Sequence, residues 1–155
     1  MKKSQVEKVL SKAVEQCKHS GGKLTEKRKL ILEVLIRSNT PLSAYEIADQ
    51  FNKFAEQAMQ PMSAYRILDF LVSENLVHKL SSANKYVACS HIACSHAHEV
   101  PQFLICRKCH KVKEIGIKKS IVEDLRESVS TAGYTLMNSQ LELDCLCEEC
   151  NGIAA

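Results

Sequence analysis

The chain of 155 residues lacks any long apolar run, which excludes a membrane-spanning helix. A span needs roughly 18 or more consecutive apolar residues, and no stretch of the sequence approaches that length. The first residues also lack the apolar core of a secretion signal, because residues 1–7 lead directly into an amphipathic pattern. We therefore expect a cytoplasmic protein with no membrane partner.

No glycine- or proline-rich linker marks a domain boundary, since the chain has only 5 glycines and 3 prolines. Composition indicates a division instead. Residues 1–80 carry 13 Lys and Arg against 9 Asp and Glu, whereas residues 81–155 carry 8 against 9 and hold all but one of the 8 cysteines. We predict a domain over residues 1–84, a hinge over 85–98 and a second domain over 99–155.

Four of the cysteines form two pairs, Cys106-x-x-Cys109 and Cys147-x-x-Cys150. In a reducing compartment this spacing is typical of zinc ligands rather than disulfides. Four thiolates complete a tetrahedral shell and leave no position for water, so such a zinc ion stabilises a fold. The pairs are far enough apart for a helix, predicted near residues 120–132, to lie between them.

Cys145 stands just before the second pair and could in principle replace Cys147 as a ligand. The two-residue spacing favours Cys147. The alternation of Leu141, Leu143 and Cys145 predicts a strand. The alternation begins at Tyr134, as in a strand at a subunit edge, although the same pattern serves the sheet of a monomer.

The patterns of two zinc or thiol enzyme classes are absent. A zinc deaminase needs H-x-E and P-C-x-x-C, whereas here Glu99 follows His98 directly and Ile105 precedes Cys106. A thiol redox enzyme places a single C-x-x-C at a helix start beside a βαβ unit, which the sequence does not predict. We expect no enzymatic activity.

Two helices are predicted at the start of the chain. Apolar residues at helical spacing indicate one over residues 3–18, with Cys17 on its apolar face. A second follows Thr25 and has Leu30, Ile31, Val34 and Leu35 as its buried side. Lys27, Arg28 and Lys29 fall on its exposed first turn, where they can meet an anionic partner or form an ordinary solvated basic face.

The next elements predict a winged helix-turn-helix. Ser43 to Glu46 forms a capping box for a helix to about Phe54, Pro61 separates it from the next, and Ser63 is predicted to cap a helix carrying Tyr65 and Arg66. A hairpin follows, with strands over 76–80 and 85–88. The start of the second helix in this motif enters the DNA major groove, where Ser63, Tyr65 and Arg66 can contact bases or phosphates. Alternatively, Tyr65 packs on a neighbouring helix and Arg66 pairs with Asp69.

The motifs appear in the order found in the ferric uptake regulator family, which the chain resembles over nearly its whole length. They are Leu24-Thr25-x-x-Arg28, Ser43-Ala44-Tyr45, Ser63-Ala64-Tyr65-Arg66, Leu76-Val77-His78-Lys79 and the two cysteine pairs. The resemblance is greatest to the zinc-sensing branch. It implies an α+β homodimer with an N-terminal winged-helix domain and a smaller α/β dimerisation domain. It also implies a repressor of zinc uptake genes that binds double-stranded operator DNA, with Arg28 and Tyr45 among the DNA contacts.

A sensor needs a second metal site, because a zinc ion that holds the fold together stays bound. The resemblance implies His78, Cys89, His98 and Glu114 as its ligands, with His96 a rival to His98, and two zinc ions per protomer. The thiolate of Cys89 favours zinc over iron. His91 and Cys94 form either a spare site or ordinary loop polarity. An iron- or peroxide-responsive regulator and a zinc-stabilised protein-binding scaffold remain alternatives.

Overall fold

The computed structural model describes residues 2–94 and 100–152. The chain divides into two compact units, Met1–Ser95 and His96–Ala155. Within the described residues, no helix is both long enough and apolar enough to span a membrane. The expected ligand His98 and its rival His96 lie outside the described residues.

The first unit consists of four helices followed by a two-stranded hairpin. The elements are α1 Lys3–His19, α2 Glu26–Arg37, α3 Ala44–Ala55, α4 Pro61–Ser73, β1 Val77–Leu80 and β2 Lys85–Ala88. One hydrophobic core lies among the helices and the hairpin. Cys17 is fully buried in it, as predicted for the apolar face of α1. On α2 the buried side includes Leu32, which the periodicity missed, while Leu30 is only half-buried.

Local capping explains where α2 and α3 begin. The Thr25 hydroxyl accepts a hydrogen bond from the backbone of Arg28 at 3.4 Å. At α3 the predicted capping box is confirmed, because Ser43 Oγ accepts from the Glu46 backbone at 3.2 Å and Glu46 Oε2 accepts from the Ser43 backbone at 2.6 Å.

The predicted start of α4 was wrong. The helix begins at Pro61, its N-cap is Gln60, and no side chain caps it. Proline is favoured in the first helical turn because its fixed φ suits the helix and its missing N–H needs no partner there. Pro61 therefore opens the helix rather than separating two helices, and Ser63 lies inside the first turn instead of at the cap.

The hairpin has the predicted four-residue turn over 81–84, with Leu80 opposite Lys85, but its first strand begins at Val77 and not at Leu76. Asn84 adopts a left-handed φ of 49° in this turn, a conformation that asparagine tolerates better than most residues. An isolated bridge joins Tyr86 to Leu42 and so connects β2 to the segment before α3. Tyr86 is buried, which anchors the hairpin to the helices.

The second unit is a three-stranded sheet with two helices. Its elements are β3 Pro101–Cys106, β4 Val112–Gly116, α5 Lys119–Thr131, β5 Glu142–Cys145 and α6 Glu148–Asn151. The strand order is β4-β3-β5, with β4 antiparallel and β5 parallel to β3. The predicted helix between the cysteine pairs is present as α5. Among the described residues of this unit, the buried apolar side chains are Phe103, Cys106 and Val122.

The strand predicted from Tyr134 to Cys145 was too long. Residues 134–141 are irregular, and β5 covers only Glu142–Cys145. The buried amide of Gln102 holds the end of the irregular segment, because its Nε2 donates to the Ser139 carbonyl at 3.0 Å and its Oε1 accepts from the Leu141 backbone at 2.5 Å. A side chain thus satisfies backbone groups that a longer strand would have paired in the ladder.

Candidate metal centres and nucleic-acid interface

Two loops of the second unit bring four cysteines together. Cys106 ends β3 and Cys109 lies in the following turn, while Cys147 is the N-cap of α6 and Cys150 lies within it. Their four sulfur atoms lie within 4.8 Å of one another, and Cys109 Sγ lies 3.7 Å from Cys147 Sγ. Tetrahedral zinc with Zn–S bonds of about 2.3 Å places its sulfurs about 3.8 Å apart, so the donor set fits zinc.

Cys145 is not in this cluster. It lies on β5 opposite Cys106, and its carbonyl accepts a hydrogen bond from the Arg107 backbone at 2.9 Å. The expectation that Cys145 is a strand residue is therefore confirmed. The second loop is placed by β5, and Cys147 begins the short helix α6 two residues later.

The polypeptide backbone favours a thiolate at Cys106. The backbone N–H groups of Cys109, Cys147 and Lys108 donate to its sulfur and lower the pKa of the thiol from 9.0 to about 5. The backbone nitrogen of Cys147, from the second loop, lies 3.5 Å from Cys106 Sγ. These backbone donors therefore favour the ionised form of this sulfur.

Cys150 has the opposite preference. A hydrogen bond to the Cys147 sulfur, burial, and the sulfurs of Cys109 and Cys106 raise the pKa of the Cys150 thiol to about 12. Several sulfurs in one small space disfavour further negative charge unless a cation compensates it. A divalent ion that prefers thiolates supplies that compensation.

His78 and Cys89 are a second set of potential metal ligands, both in the first unit. His78 lies on β1, and Cys89 follows β2 and donates its backbone N–H to the Leu76 carbonyl at 2.9 Å. The hairpin thus brings an imidazole nitrogen and the Cys89 sulfur within 4.8 Å. Cys89 is 5% exposed, so its sulfur is largely shielded from solvent.

The other candidate ligands among the described residues are Glu114, His91 and Cys94. Glu114 lies on β4 of the second unit, opposite Phe103, and is half-buried. His91 lies in a turn with Nδ1 3.3 Å from Ser90 Oγ, and Cys94 is exposed. Within residues 2–94 and 100–152, neither His91 nor Cys94 belongs to a group of three potential ligands.

The first turns of α4 present polar side chains to solvent. Ser63 and Arg66 are exposed, whereas Tyr65 is half-buried and packs against the core of the first unit. In the described part of the chain, Arg66 makes no ion pair, so the alternative pairing with Asp69 is not present. The packing alternative for Tyr65 does hold for part of its side chain.

The remaining candidate DNA contacts differ in their surroundings. Tyr45, in the first turn of α3, is 66% exposed. Arg28 is half-buried rather than exposed as expected, with its guanidinium 3.6 Å from the centre of the Phe70 ring and donating to the Lys23 carbonyl at 2.7 Å. Arg28 therefore contributes to packing within the unit. Phe70 is 42 positions away, so local spacing gave no signal for this contact.

Comparisons with known proteins agree with these features. The sequence profile of the Ferric uptake regulator family matches residues 19–144. The zinc uptake regulation protein of Escherichia coli (strain K12) is 31% identical over 156 residues, covering 100% of this chain and 88% of that protein. The ferric uptake regulation protein of Helicobacter pylori (strain ATCC 700392 / 26695) is 28% identical over 148 residues, covering 94% of this chain and 93% of that protein.

A solved structure of a zinc uptake regulator complexed with zinc and DNA matches with a TM-score of 0.83 and 27% identity, covering 96% of each chain. The family profile extends from α1 to β5 and so includes the hairpin, the first cysteine pair and the helix between the pairs. With a profile match over most of its length and a relative aligned along all of it, the chain belongs to the ferric uptake regulator family.

Proposed function

We propose that this protein is a zinc-responsive transcriptional repressor of zinc uptake genes that binds double-stranded operator DNA as a homodimer in the cytoplasm, without enzymatic activity. The observation that carries the zinc assignment is the thiol of Cys89 beside the imidazole of His78, within 4.8 Å. A thiolate and an imidazole together suit zinc better than harder cations. The likeness to zinc uptake regulators supports the same assignment.

The first of two proposed zinc ions per protomer is structural, with Cys106, Cys109, Cys147 and Cys150 as ligands. Support comes from the sulfur spacing and from the few buried apolar side chains among the described residues of the second unit. A unit with so small a core depends on further stabilisation, which a metal ion can supply. The exposed apolar side chains of Tyr134, Met137 and Leu146 in this unit support a role in dimerisation.

The second zinc ion is the proposed signal. Its ligands are His78, Cys89, Glu114 and His98, or His96 in place of His98. Bound zinc would supply a positive centre for these ligands. The proposed division is a DNA-binding domain over residues 1–84, a hinge over 85–98 and a dimerisation domain over 99–155. Because the ligands come from both domains and the hinge, zinc binding can favour the DNA-binding arrangement of the dimer over others.

The proposed DNA-reading surface is the start of α4, with Ser63, Tyr65 and Arg66, together with Tyr45 of α3. The exposure of Ser63, Arg66 and Tyr45 supports this assignment. Arg28 is the fifth proposed DNA contact, and its packing on Phe70 also stabilises the unit that presents this surface.

The sensor assignment is tested with His78→Ala and Cys89→Ser, with Cys94→Ser as the matched control in an exposed position of the same segment. Zinc content is measured by elemental analysis, and DNA binding by anisotropy on a duplex selected by the wild-type protein from a random library. We expect the first two variants to keep one zinc per protomer and lose zinc-dependent binding, while the control behaves as wild type. Retention of the zinc response by both sensor variants would place the sensor elsewhere.

A further inference from the structure

The two cysteine loops of the second unit carry opposite charges. The first loop contains Arg107, Lys108 and Lys111 around Cys106 and Cys109. Around the second pair, Asp144 precedes Cys147, and Glu148 and Glu149 separate Cys147 from Cys150. The loops that must meet to form the four-cysteine site therefore attract each other before a metal binds.

One ion pair joins the two loops, and another joins the first loop to the strand before the second. Lys111 Nζ lies 2.7 Å from Glu149 Oε2, and Arg107 Nη1 lies 3.6 Å from Asp144 Oδ1 on β5. The first has the shorter contact and connects the segments that hold the sulfurs. Glu149 lies between the two cysteines of its pair, and the Lys111 carbonyl accepts the backbone N–H of Cys106 at 3.0 Å. The Lys111 carbonyl therefore closes the first loop, and the Lys111 side chain connects this loop to the second.

Lys111 also lies within electrostatic reach of the sulfurs. Lys111 lines the same cavity as Cys106, Cys147 and Glu149. A zinc ion with four thiolates has a net charge of −2, so a neighbouring ammonium offsets part of the excess negative charge. Lys111 therefore has two effects, one on loop pairing and one on the charge of the metal site.

We propose that Lys111 and Glu149 are positioning residues that hold the two cysteine loops together and slow the loss of zinc from the four-cysteine site. The inference rests on the proposed function, because it assumes that zinc binds these cysteines. The ligand pairs come from positions 38 or more residues apart, so a contact that keeps them together lowers the ordering cost of binding. Both side chains are solvent-exposed, which limits the effect to a moderate one.

The test measures zinc release from the full-length protein to a chromogenic chelator, in a Cys89→Ser background that isolates the four-cysteine zinc. Lys111→Gln removes the ion pair and the cation beside the sulfurs, whereas Glu149→Gln removes the ion pair alone. Lys108→Gln and Glu148→Gln are matched controls, since they change the same charges in the same loops and make no ion pair among the described residues.

We expect release to accelerate about three- to tenfold for Lys111→Gln, less for Glu149→Gln, and little for the controls. The reversed pair, Lys111→Glu with Glu149→Lys, should release zinc more slowly than either single reversal. High salt should reduce the differences, because it screens exposed charges. Thermal melting of the zinc-bound variants should show that all remain folded.

Equal release rates for wild type, Lys111→Gln and Glu149→Gln would overturn the inference while leaving the proposed zinc site intact. Failure of the proposed site gives a different result, because the Cys89→Ser protein would then hold no zinc at all. A reversed pair that releases zinc as fast as the worse single reversal would also contradict loop pairing as the cause.

Discussion

At the residue scale, the four cysteines of the candidate zinc site are chemically unequal. Backbone N–H groups favour the Cys106 thiolate, whereas the crowded sulfurs favour the protonated form of Cys150. The position of a sulfur relative to the two loops, and not its residue type, sets this difference. Zinc binding must therefore draw its protons from only some of the ligands.

Proton release on zinc binding should reflect this inequality. At pH 7 the Cys106 thiol, with its pKa lowered to about 5, is already ionised and releases no proton, whereas Cys150, with its pKa raised to about 12, must release one. We expect three or fewer protons per zinc at pH 7. Below pH 5 the Cys106 proton is added, so zinc affinity falls more steeply with acid. Calorimetry of metal-free Cys89→Ser protein in buffers of different ionisation enthalpy measures the number, and four protons at pH 7 would contradict the assignment.

Arg66 and Arg28 should respond differently to truncation. Arg66→Ala should weaken specific DNA binding by roughly 1–3 kcal/mol and leave the melting temperature of the protein unchanged, because this side chain is exposed. Arg28→Ala should lower stability by about 1 kcal/mol, because it removes the contact with Phe70. Melting curves and anisotropy titrations separate the two effects. A stability loss for Arg66→Ala equal to that for Arg28→Ala would show that Arg66 is structural.

Residue-level prediction from the sequence reached only groups with a local pattern. The four cysteines were found because the C-x-x-C spacing is itself a signal. Lys111 and Glu149 were not, since nothing local indicates which lysine meets which carboxylate across 38 positions. The same distance effect hid the contact between Arg28 and Phe70.

At the element scale, the helices of the first unit begin with different stabilising interactions. Thr25 and Ser43 cap α2 and α3 with their side chains, whereas α4 relies on Pro61 in its first turn. The hydroxyl of Ser63 is therefore not needed as a cap. This leaves it exposed at the start of the helix proposed to read DNA.

A pair of serine substitutions tests this difference. Ser43→Ala should destabilise the protein by about 1 kcal/mol, because it removes the capping box of α3. Ser63→Ala should change stability by less than about 0.5 kcal/mol and weaken DNA binding instead, since its side chain caps nothing. Chemical denaturation of the zinc-bound protein gives both values. An equal loss for the two variants would mean that Ser63 stabilises the start of α4 after all.

Elements with strong local signals were predictable, and those fixed by distant contacts were not. The capping box of α3 and the turn between β1 and β2 each depend on residues that are close together in the sequence. The irregular segment 134–141 alternates like a strand, but its last backbone groups bond to the distant side chain of Gln102. Hydrophobic periodicity does not reveal that a distant side chain will bond to these backbone groups in place of a neighbouring strand.

At the scale of the whole molecule, the two units differ in what stabilises them. The first has a core built from four helices and a hairpin, whereas the described part of the second buries only three apolar side chains. The fold class was predictable, because it follows from patterns spread over many residues. The packing of the second unit was not predictable, because it depends on the pairing of β3 with β5, which lie far apart in the sequence and place the two cysteine loops side by side.

Loss of a cysteine ligand should therefore affect the second unit severely. Cys147→Ser should remove the structural zinc and lower both the melting temperature and the dimer content, because binding free energy at this site is also folding free energy. Cys145→Ser is the matched control, two positions away on β5 and outside the sulfur cluster. Elemental analysis, melting curves and sedimentation report the outcome. Greater damage from Cys145→Ser would shift the ligand assignment.

Zinc control of DNA binding is tested by measuring DNA affinity as a function of buffered free zinc. Fluorescence anisotropy with the selected duplex is recorded at fixed salt, in parallel with anaerobic ferrous iron and with protein already holding its four-cysteine zinc. We expect affinity to rise with free zinc as the metal content goes from one to two per protomer, with no comparable rise for iron. Equal affinity at all zinc concentrations, or a response to iron alone, would show that zinc does not control DNA binding by this protein.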